Sequence, residues 1–516
     1  MELVKHTIHM EKEYPEVSSQ FVVEEDLIIP DQKADINKIL LSKSEILQEE
    51  IRVLDHHIIF KGKLDYCILY RTDTDPAQLS SLCGSLPLEE QLFMDDVAAN
   101  DTVNTSVVLE DFEASIINSR KLNLHALLQI SARKTALVDA EIASGLDTNE
   151  TIETRLENRE LLELAVLKKD ICRIKEEIEL PKSYPNISQT LWKNIRLGEV
   201  DIKPAEDSLQ IKAGITIFLL YIGEGEDQPV RFYETTIPYQ CTLECNNSTS
   251  AMIPRISYHI SHCDAEVRPD FDGEERILGI DMVMDLSIRL FTETTLPVLC
   301  DIYGTEHDYT TVTRPAETMK LCINNSSQYH LTERADLGPD APPVMQLCHF
   351  NGFLKLDHPK IVEDGIEMCG ILQVQVLYIT QEDASPYASF TKDLPFSYLI
   401  EAPKISTDSI LSIDSCIDQL TINMINGNEL EFRAGISFKT FVYESSACEL
   451  VTDIEQKEID PLTLNALPGI IAYFVREGDS LWDIGKQYYV TVSSIKEQNN
   501  LSGDQLRPGE RLLIVK

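Results

Sequence analysis

Several groups of side chains have types and spacing that could do chemistry. Twelve cysteines stand at positions 67, 83, 172, 241, 245, 263, 300, 322, 348, 369, 416 and 448. A zinc site needs paired Cys or His at short, fixed spacing. Cys241 and Cys245 are four apart, but no second pair follows and no C-x-x-C occurs. The expectation is buried free thiols and no metal. His56-His57 flanks a predicted strand, which favours a satisfied or exposed pair over a ligand pair. Asp270, Asp272, Glu274 and Glu275 crowd one turn, yet the alternating calcium-loop pattern with its distant Glu is missing, so a solvated hairpin is expected. Gly223-Glu224-Gly225-Glu226 has the wrong sign for phosphate. P-loop, G-x-G-x-x-G, H-E-x-x-H and G-x-S-x-G patterns are absent. The chain is therefore read as a binding protein and not an enzyme, with no catalytic residue, metal or cofactor.

The strongest binding candidates lie near the C-terminus. Ile471–Val475 reads as a strand. Gly478-Asp479-Ser480 is a turn in which Asp479 or Ser480 can accept the free N–H groups of a first helical turn. Leu481, Ile484 and Tyr488 then share one helix face. Thr491 or Ser493 can cap a second helix around Ile495. Asn500-Leu501-Ser502-Gly503 ends that helix, and Pro508-Gly509 leads to a last strand at Leu512–Val515. The order is βααβ. Trp482 sits beside core Leu481 but off its stripe, and a partly exposed Trp is a favoured contact residue.

This segment resembles a LysM domain over nearly its whole length, through Gly478-Asp479-Ser480-Leu481, Ile484, Tyr488, Asn500, Leu506, Gly509 and Leu512. The resemblance implies a shallow groove with Gly478, Asp479, Ser480, Leu481 and Trp482 on one side and Asn500, Leu501, Ser502 and Gly503 on the other. Several of these have plain structural duties as well. Gly478 makes a turn, Asp479 can cap a helix, and Leu481 and Ile484 belong to a core.

The rest of the chain repeats. Phe60–Tyr70, Ile211–Tyr221 and Met368–Tyr378 are apolar, strand-like runs that all end in Leu-Tyr. Pro30 precedes Tyr70 by 40 residues, as Pro181 precedes Tyr221. Ser326-Ser327-Gln328-Tyr329 matches Ser18-Ser19-Gln20-Phe21 at an offset of 308, the offset that also relates Tyr378 to Tyr70. Downstream turns are expected at Asn118-Ser119-Arg120-Lys121, Phe271-Asp272-Gly273-Glu274 and Asn426-Gly427-Asn428-Glu429. Alternation in Glu431–Phe441 and, less cleanly, in Leu122–Leu128 predicts strands with one buried face. The fold class expected is mainly β: three tandem antiparallel sandwich- or barrel-like domains and a small βααβ module. One short helix per repeat is expected near Ala34–Ser42, Asn186–Lys193 and Pro342–Leu347. Thr151–Asp170 is compatible with a helix on propensity or with a linker. Asp139–Thr148 and Asp453–Pro468 read as exposed connections. The boundaries are 15–137, 166–292 and 293–445 for the repeats, 138–165 and 446–469 for connections, and 470–516 for the C-terminal module.

The repeat resembles the SPOCS-type domain of spore coat proteins, through the Pro-led entry, the Gly-containing strand ending in Leu-Tyr, and the Asn-Ser-Arg-Lys turn. With a C-terminal LysM, the whole resembles SipL-type spore coat morphogenetic proteins. That resemblance implies a scaffold that docks on the coat basement-layer ATPase, meets other coat proteins, and works in the mother-cell cytoplasm at the forespore surface. A protein that binds peptidoglycan or N-acetylglucosamine polymers is the alternative.

Charge supports part of this. Asp and Glu number 86 against 45 Lys and Arg, for a net charge of -41. Phosphate recognition needs clustered cations, so nucleic acid and anionic membranes are poor partners. The C-terminal module is neutral and the repeats carry the negative charge, so two surfaces of different character are expected. The first residues lack a basic region followed by an apolar run, and no stretch is apolar for long enough to span a bilayer. These features predict a cytosolic location without direct membrane insertion.

Overall fold

In a computed structural model the described residues are all except 76, 226–228, 340, 383–385, 404, 461–467 and 516. Each repeat is two antiparallel sheets that share one core. In the first repeat, β1 (Glu2–Glu13) and β2 (Val17–Ile28) flank a long strand, β7 (Lys121–Asp147), opposite β6 (Thr102–Asn118). β3 (Ile36–Leu54), β4 (His57–Thr72) and β5 (Leu79–Phe93) form the second sheet. Alternate residues of both sheets, among them Leu27, Phe60, Leu64, Leu88, Leu124 and Leu128, meet in the core.

The second repeat has β8 (Ile152–Glu179), β13 (Ile253–Pro269) and β14 (Glu275–Gly304) in one sheet. Its other sheet holds β9 (Ile187–Leu197), β10 (Asp201–Ala205), β11 (Ser208–Gly223) and β12 (Val230–Glu244). The third repeats this plan. β15 (His307–Asp336), β20 (Ile410–Asn426) and β21 (Glu429–Glu458) face β16 (Val344–Leu356), β17 (Lys360–Val362), β18 (Gly365–Thr380) and β19 (Tyr387–Glu401). None of these sheets closes into a barrel.

The Leu-Tyr signature has a physical meaning. The tyrosine turns into its own repeat and the leucine turns out to the other two. Tyr70, Tyr221 and Tyr378 are fully buried. Their hydroxyls donate to the carbonyls of Ala34, Pro185 and Pro342 at 3.3, 3.1 and 3.2 Å. Each bond ties a central strand to the chain entering its sheet. Leu69, Leu220 and Leu377 instead share one cluster where the three repeats meet. Replacing a single hydroxyl, Tyr221→Phe, is expected to cost about 1 kcal/mol in denaturant unfolding, because only one neutral hydrogen bond is lost and Pro185 O loses a partner.

The three expected helices are strands, β3, β9 and β16. Each begins with the same burial pattern, in which the first, fifth and sixth residues are buried. Register shifts in each ladder cause it. A bulge puts successive residues on one side, which mimics a helical period in sequence.

The largest departure concerns the segments expected as linkers. Residues 138–165 are neither helix nor linker: β7 runs to Asp147 and β8 starts at Ile152. Asp139–Thr148 is likewise almost wholly strand, and β21 carries 446–458 as strand; 461–467 lie outside the described residues. The boundary at 292/293 falls inside β14. Each sandwich thus projects a two-stranded ribbon: β1 with the end of β7, the start of β8 with the end of β14, and the start of β15 with the end of β21. The ribbons pack on one another through Ile8, Met10, Ile142, Leu162, Phe291, Met319, Tyr443 and Leu450. Leu161 and Leu162 are both buried although neighbours on a strand face opposite ways, so both faces of that ribbon are covered. This packing overrides the helix propensity of a Glu/Leu-rich stretch.

Charges are also buried at the base of the ribbons. Glu11 on β1 is paired with Arg289 on β14, and both are buried. Glu13 is paired with Arg133 on β7 and with Arg255 on β13, and Arg255 lies over the Phe441 and Tyr443 rings of the third repeat.

A buried histidine sits between the second and third repeats. His349 stacks on Phe218 with ring centroids 3.8 Å apart, and its Nε2 lies 3.4 Å from Asn194. Burial pushes its pKa below 6.5; Glu234, 3.7 Å from Nδ1 and too distant for a normal hydrogen bond, only partly opposes this, with Arg196 and Lys43 nearby. The unfolded chain therefore binds the proton more readily, so stability is lost as pH falls below 6.5. His349→Phe is expected to flatten that part of the stability–pH curve, as read by urea unfolding at pH 7.5 and 5.5.

Candidate functional site: the C-terminal module and its dock

The C-terminal module is a βααβ unit. β22 (Ile470–Phe474) pairs with β23 (Arg511–Val515), and α1 (Leu481–Tyr488) and α2 (Val492–Asn499) lie between them in sequence. Its core is Val475, Leu481, Ile484, Val490, Ile495, Leu512 and Ile514. Both helices start as their sequences predict. Ser480 Oγ accepts from the Asp483 N–H at 3.1 Å, and Thr491 Oγ1 accepts from the Ser494 N–H at 3.2 Å.

The nine groove candidates fall into distinct roles. Gly478, with φ +93, makes the turn and is exposed. Asp479 accepts from the Tyr473 hydroxyl and the Arg476 N–H, both at 2.7 Å, so its carboxylate is occupied within the turn. Ser480 is the N-cap of α1, and Leu481 is core. Asn500, left-handed at φ 53, ends α2 and is exposed; the Leu501 N–H donates to the Lys496 carbonyl at 3.0 Å. Leu501 packs on the module's core, while Ser502 and Gly503 are exposed. The two loops are thus joined beneath by Leu481 and Leu501, with Gly478, Asn500, Ser502 and Gly503 exposed.

Trp482 has a different surrounding from the one expected. It is half-buried against the ribbon of the second repeat, not left free beside the loops. Its indole N–H donates to Asp301 Oδ2 at 3.0 Å, and its ring meets Tyr303 edge-on at 4.8 Å. Lys486, one turn along α1, donates to both Asp301 oxygens at 2.6 and 2.7 Å. The Tyr303 hydroxyl donates to the Val490 carbonyl at 3.0 Å. Gly485 is where Tyr303 approaches α1, and a Cβ there would collide with the tyrosine hydroxyl. Burial raises the Asp301 pKa, but hydrogen bonds from Lys486 and Trp482 outweigh it and hold the carboxyl below its usual range. The i, i+4 spacing of Trp482 and Lys486 was a visible sign of one shared face. Their partners, Asp301 and Tyr303, lie far upstream and carry no local signal.

The remaining candidates serve the fold. Nδ1 of His56 and of His57 lie 2.7 and 3.0 Å from the Asp95 and Asp55 carbonyls. Asp270 accepts the N–H groups of Asp272 and Glu274, so it closes its own turn. No group of metal ligands occurs among the described residues. Glu226 of the acidic loop lies outside them. Cys67 and Cys83 face each other on β4 and β5 and are joined as a disulfide, which corrects the expectation of free thiols; a cross-strand pair has no sequence signature. The other ten cysteines are free. Arg276 was also missed as a counterpart of Arg120. Each arginine reaches back to the carbonyls of its Pro-containing entry loop, Arg120 to Ile29 and Lys33, Arg276 to Leu180 and Pro181.

Among the described residues no helix is long and apolar enough to cross a membrane. No solved structure matches the chain. The SipL, SPOCS domain family matches residues 35–117, 186–268 and 343–425, and the LysM domain family matches 473–515. The SPOCS matches begin near β3, β9 and β16 and end near the close of β6, β13 and β20, so they leave out the long ribbon strands. With three SPOCS repeats and a terminal LysM domain, the chain is a spore coat-related protein of SipL-type architecture, tied by that architecture to sporulation.

Proposed function

We propose that this protein is a non-enzymatic scaffold of spore coat assembly and encasement, and that its LysM domain docks on the coat basement-layer ATPase. It works in the mother-cell cytoplasm at the forespore surface, and the acidic repeats recruit further coat proteins. The observation that carries the reading is the division of labour on the LysM domain. Trp482, Gly485 and Lys486 are engaged with the repeat body, while the loops bearing Gly478, Asn500, Ser502 and Gly503 stay exposed. The body therefore holds the module at a fixed attitude with its loop face outward, as a docking element requires.

The alternative is glycan binding at the same loops, which the LysM match favours. Affinity capture from sporulating cells with the full chain and with a chain lacking 470–516 tests the scaffold. The ATPase should be captured by the first and lost with the second. Capture by both would move the contact into the repeats. Capture by neither, with binding of N-acetylglucosamine oligomers by the full chain, would replace the scaffold by the glycan reading.

A further inference from the structure

Unit-by-unit comparison singles out one pair of facing positions in the second repeat. Cys172 lies on β8 and Cys241 on β12, in the two opposed sheets, with their sulfurs 3.4 Å apart. The same positions in the third repeat hold Tyr329 and Tyr398, whose rings meet across the core at 5.5 Å. The register is that of the Leu-Tyr strands: Cys172 pairs with Met284 on β14 as Tyr329 pairs with Ile436 on β21. Where the third repeat closes the gap between its sheets with two aromatic rings, the second brings two thiols to within van der Waals contact. The Tyr239 hydroxyl, 3.3 Å from Cys172, fills the space beside them.

We propose that Cys172 and Cys241 are a redox pair that closes to an inter-sheet disulfide in the second repeat, with a low-molecular-weight disulfide as oxidant. Thiols at this separation need a sulfur shift of little more than an ångström to reach the ~2.05 Å of a bond. Cys241 is partly buried and Cys172 fully so, which makes Cys241 the more accessible of the two and sets the order of events. The Cys241 thiolate attacks the oxidant, forms a mixed disulfide and expels one thiol. The Cys172 sulfur then attacks Cys241 Sγ, expels the second thiol and yields its proton to that leaving group. Two protein thiols are oxidised and one small disulfide is reduced. Burial pushes the Cys172 thiol up to about 11, so the second step quickens with pH. The closed bond staples β12 to β8, the strand that continues into the ribbon partnered by Asp301 and Tyr303.

The test is incubation of the folded full-length protein with oxidised glutathione at pH 8.5, denaturation in iodoacetamide, and peptide mapping without reduction. The expected result is a Cys172–Cys241 cross-linked peptide, with eight alkylated cysteines where the untreated protein has ten free, and a raised thermal midpoint that returns on mild reduction. In Cys241→Ser the cross-link and the shift should vanish while Cys172 is alkylated. The proposal is overturned if Cys172 and Cys241 are both alkylated while other cysteines carry glutathione, or if Cys245 takes the place of either partner.

Discussion

Arg289→Ala is expected to destabilise the protein by about 3–5 kcal/mol, because it leaves the Glu11 carboxylate buried without its cation. The pair joins β1 to β14, so the N-terminal strand is fastened to the second repeat as well as to its own. The Glu13–Arg255 bridge, from the same strand, reaches the third repeat through the Phe441 and Tyr443 rings. Removing both charges with apolar residues of similar volume, Glu11→Leu with Arg289→Met, should restore most of the loss, since desolvation of an ion pair offsets much of its attraction. Urea unfolding of the two variants measures this. Equal destabilisation by both would mean that packing, not the uncompensated charge, sets the cost.

Asp301→Ala is expected to release the LysM domain from the ribbon, at a cost of about 2–4 kcal/mol in the docking equilibrium. The change removes the acceptor of the Trp482 indole and of Lys486 together. The chain has two tryptophans, and Trp192 is buried at the junction of the repeats, so fluorescence reports on Trp482. The expected change is a red shift of the emission and easier quenching by iodide. Gly485→Ala should do the same, because an added Cβ would meet both the Tyr303 hydroxyl and the Val490 carbonyl that the hydroxyl bonds. An unchanged spectrum in both variants would mean that Trp482 does not rest on the ribbon.

The repeats were legible because their signature residues do the same job three times. A strand that must give its Tyr to one core and its Leu to another tolerates little change, so Leu-Tyr survives in sequence. The turns were legible for local reasons: Asn118, Asp270 and Asn426 each accept the backbone N–H two residues on, and Gly273 supplies a positive φ. The LysM domain was legible through its caps and helix stripe.

What sequence hid depended on distant partners. The bulged starts of β3, β9 and β16 looked helical because a bulge breaks period-two alternation. The start of β8 looked helical because strand form there is imposed by the other two ribbons. Asp301 gives no hint that it receives Trp482 and Lys486. The groove residues rest on resemblance; Trp482 is partly exposed as its place off the core stripe predicts, but nothing local to it says that a ribbon lies against it.

The most direct measurement is a titration of purified full-length protein, wild type and Ser502→Trp, against the coat basement-layer ATPase and against N-acetylglucosamine oligomers. Ser502 is exposed in the loop after α2 and takes no part in the dock, so its replacement blocks the loop face without loosening the module. The account predicts saturable binding of the ATPase to the wild type, at least tenfold weaker binding to Ser502→Trp, and no saturable binding of the oligomers. Undiminished ATPase binding by Ser502→Trp, or saturable binding of the oligomers with none of the ATPase, would contradict it.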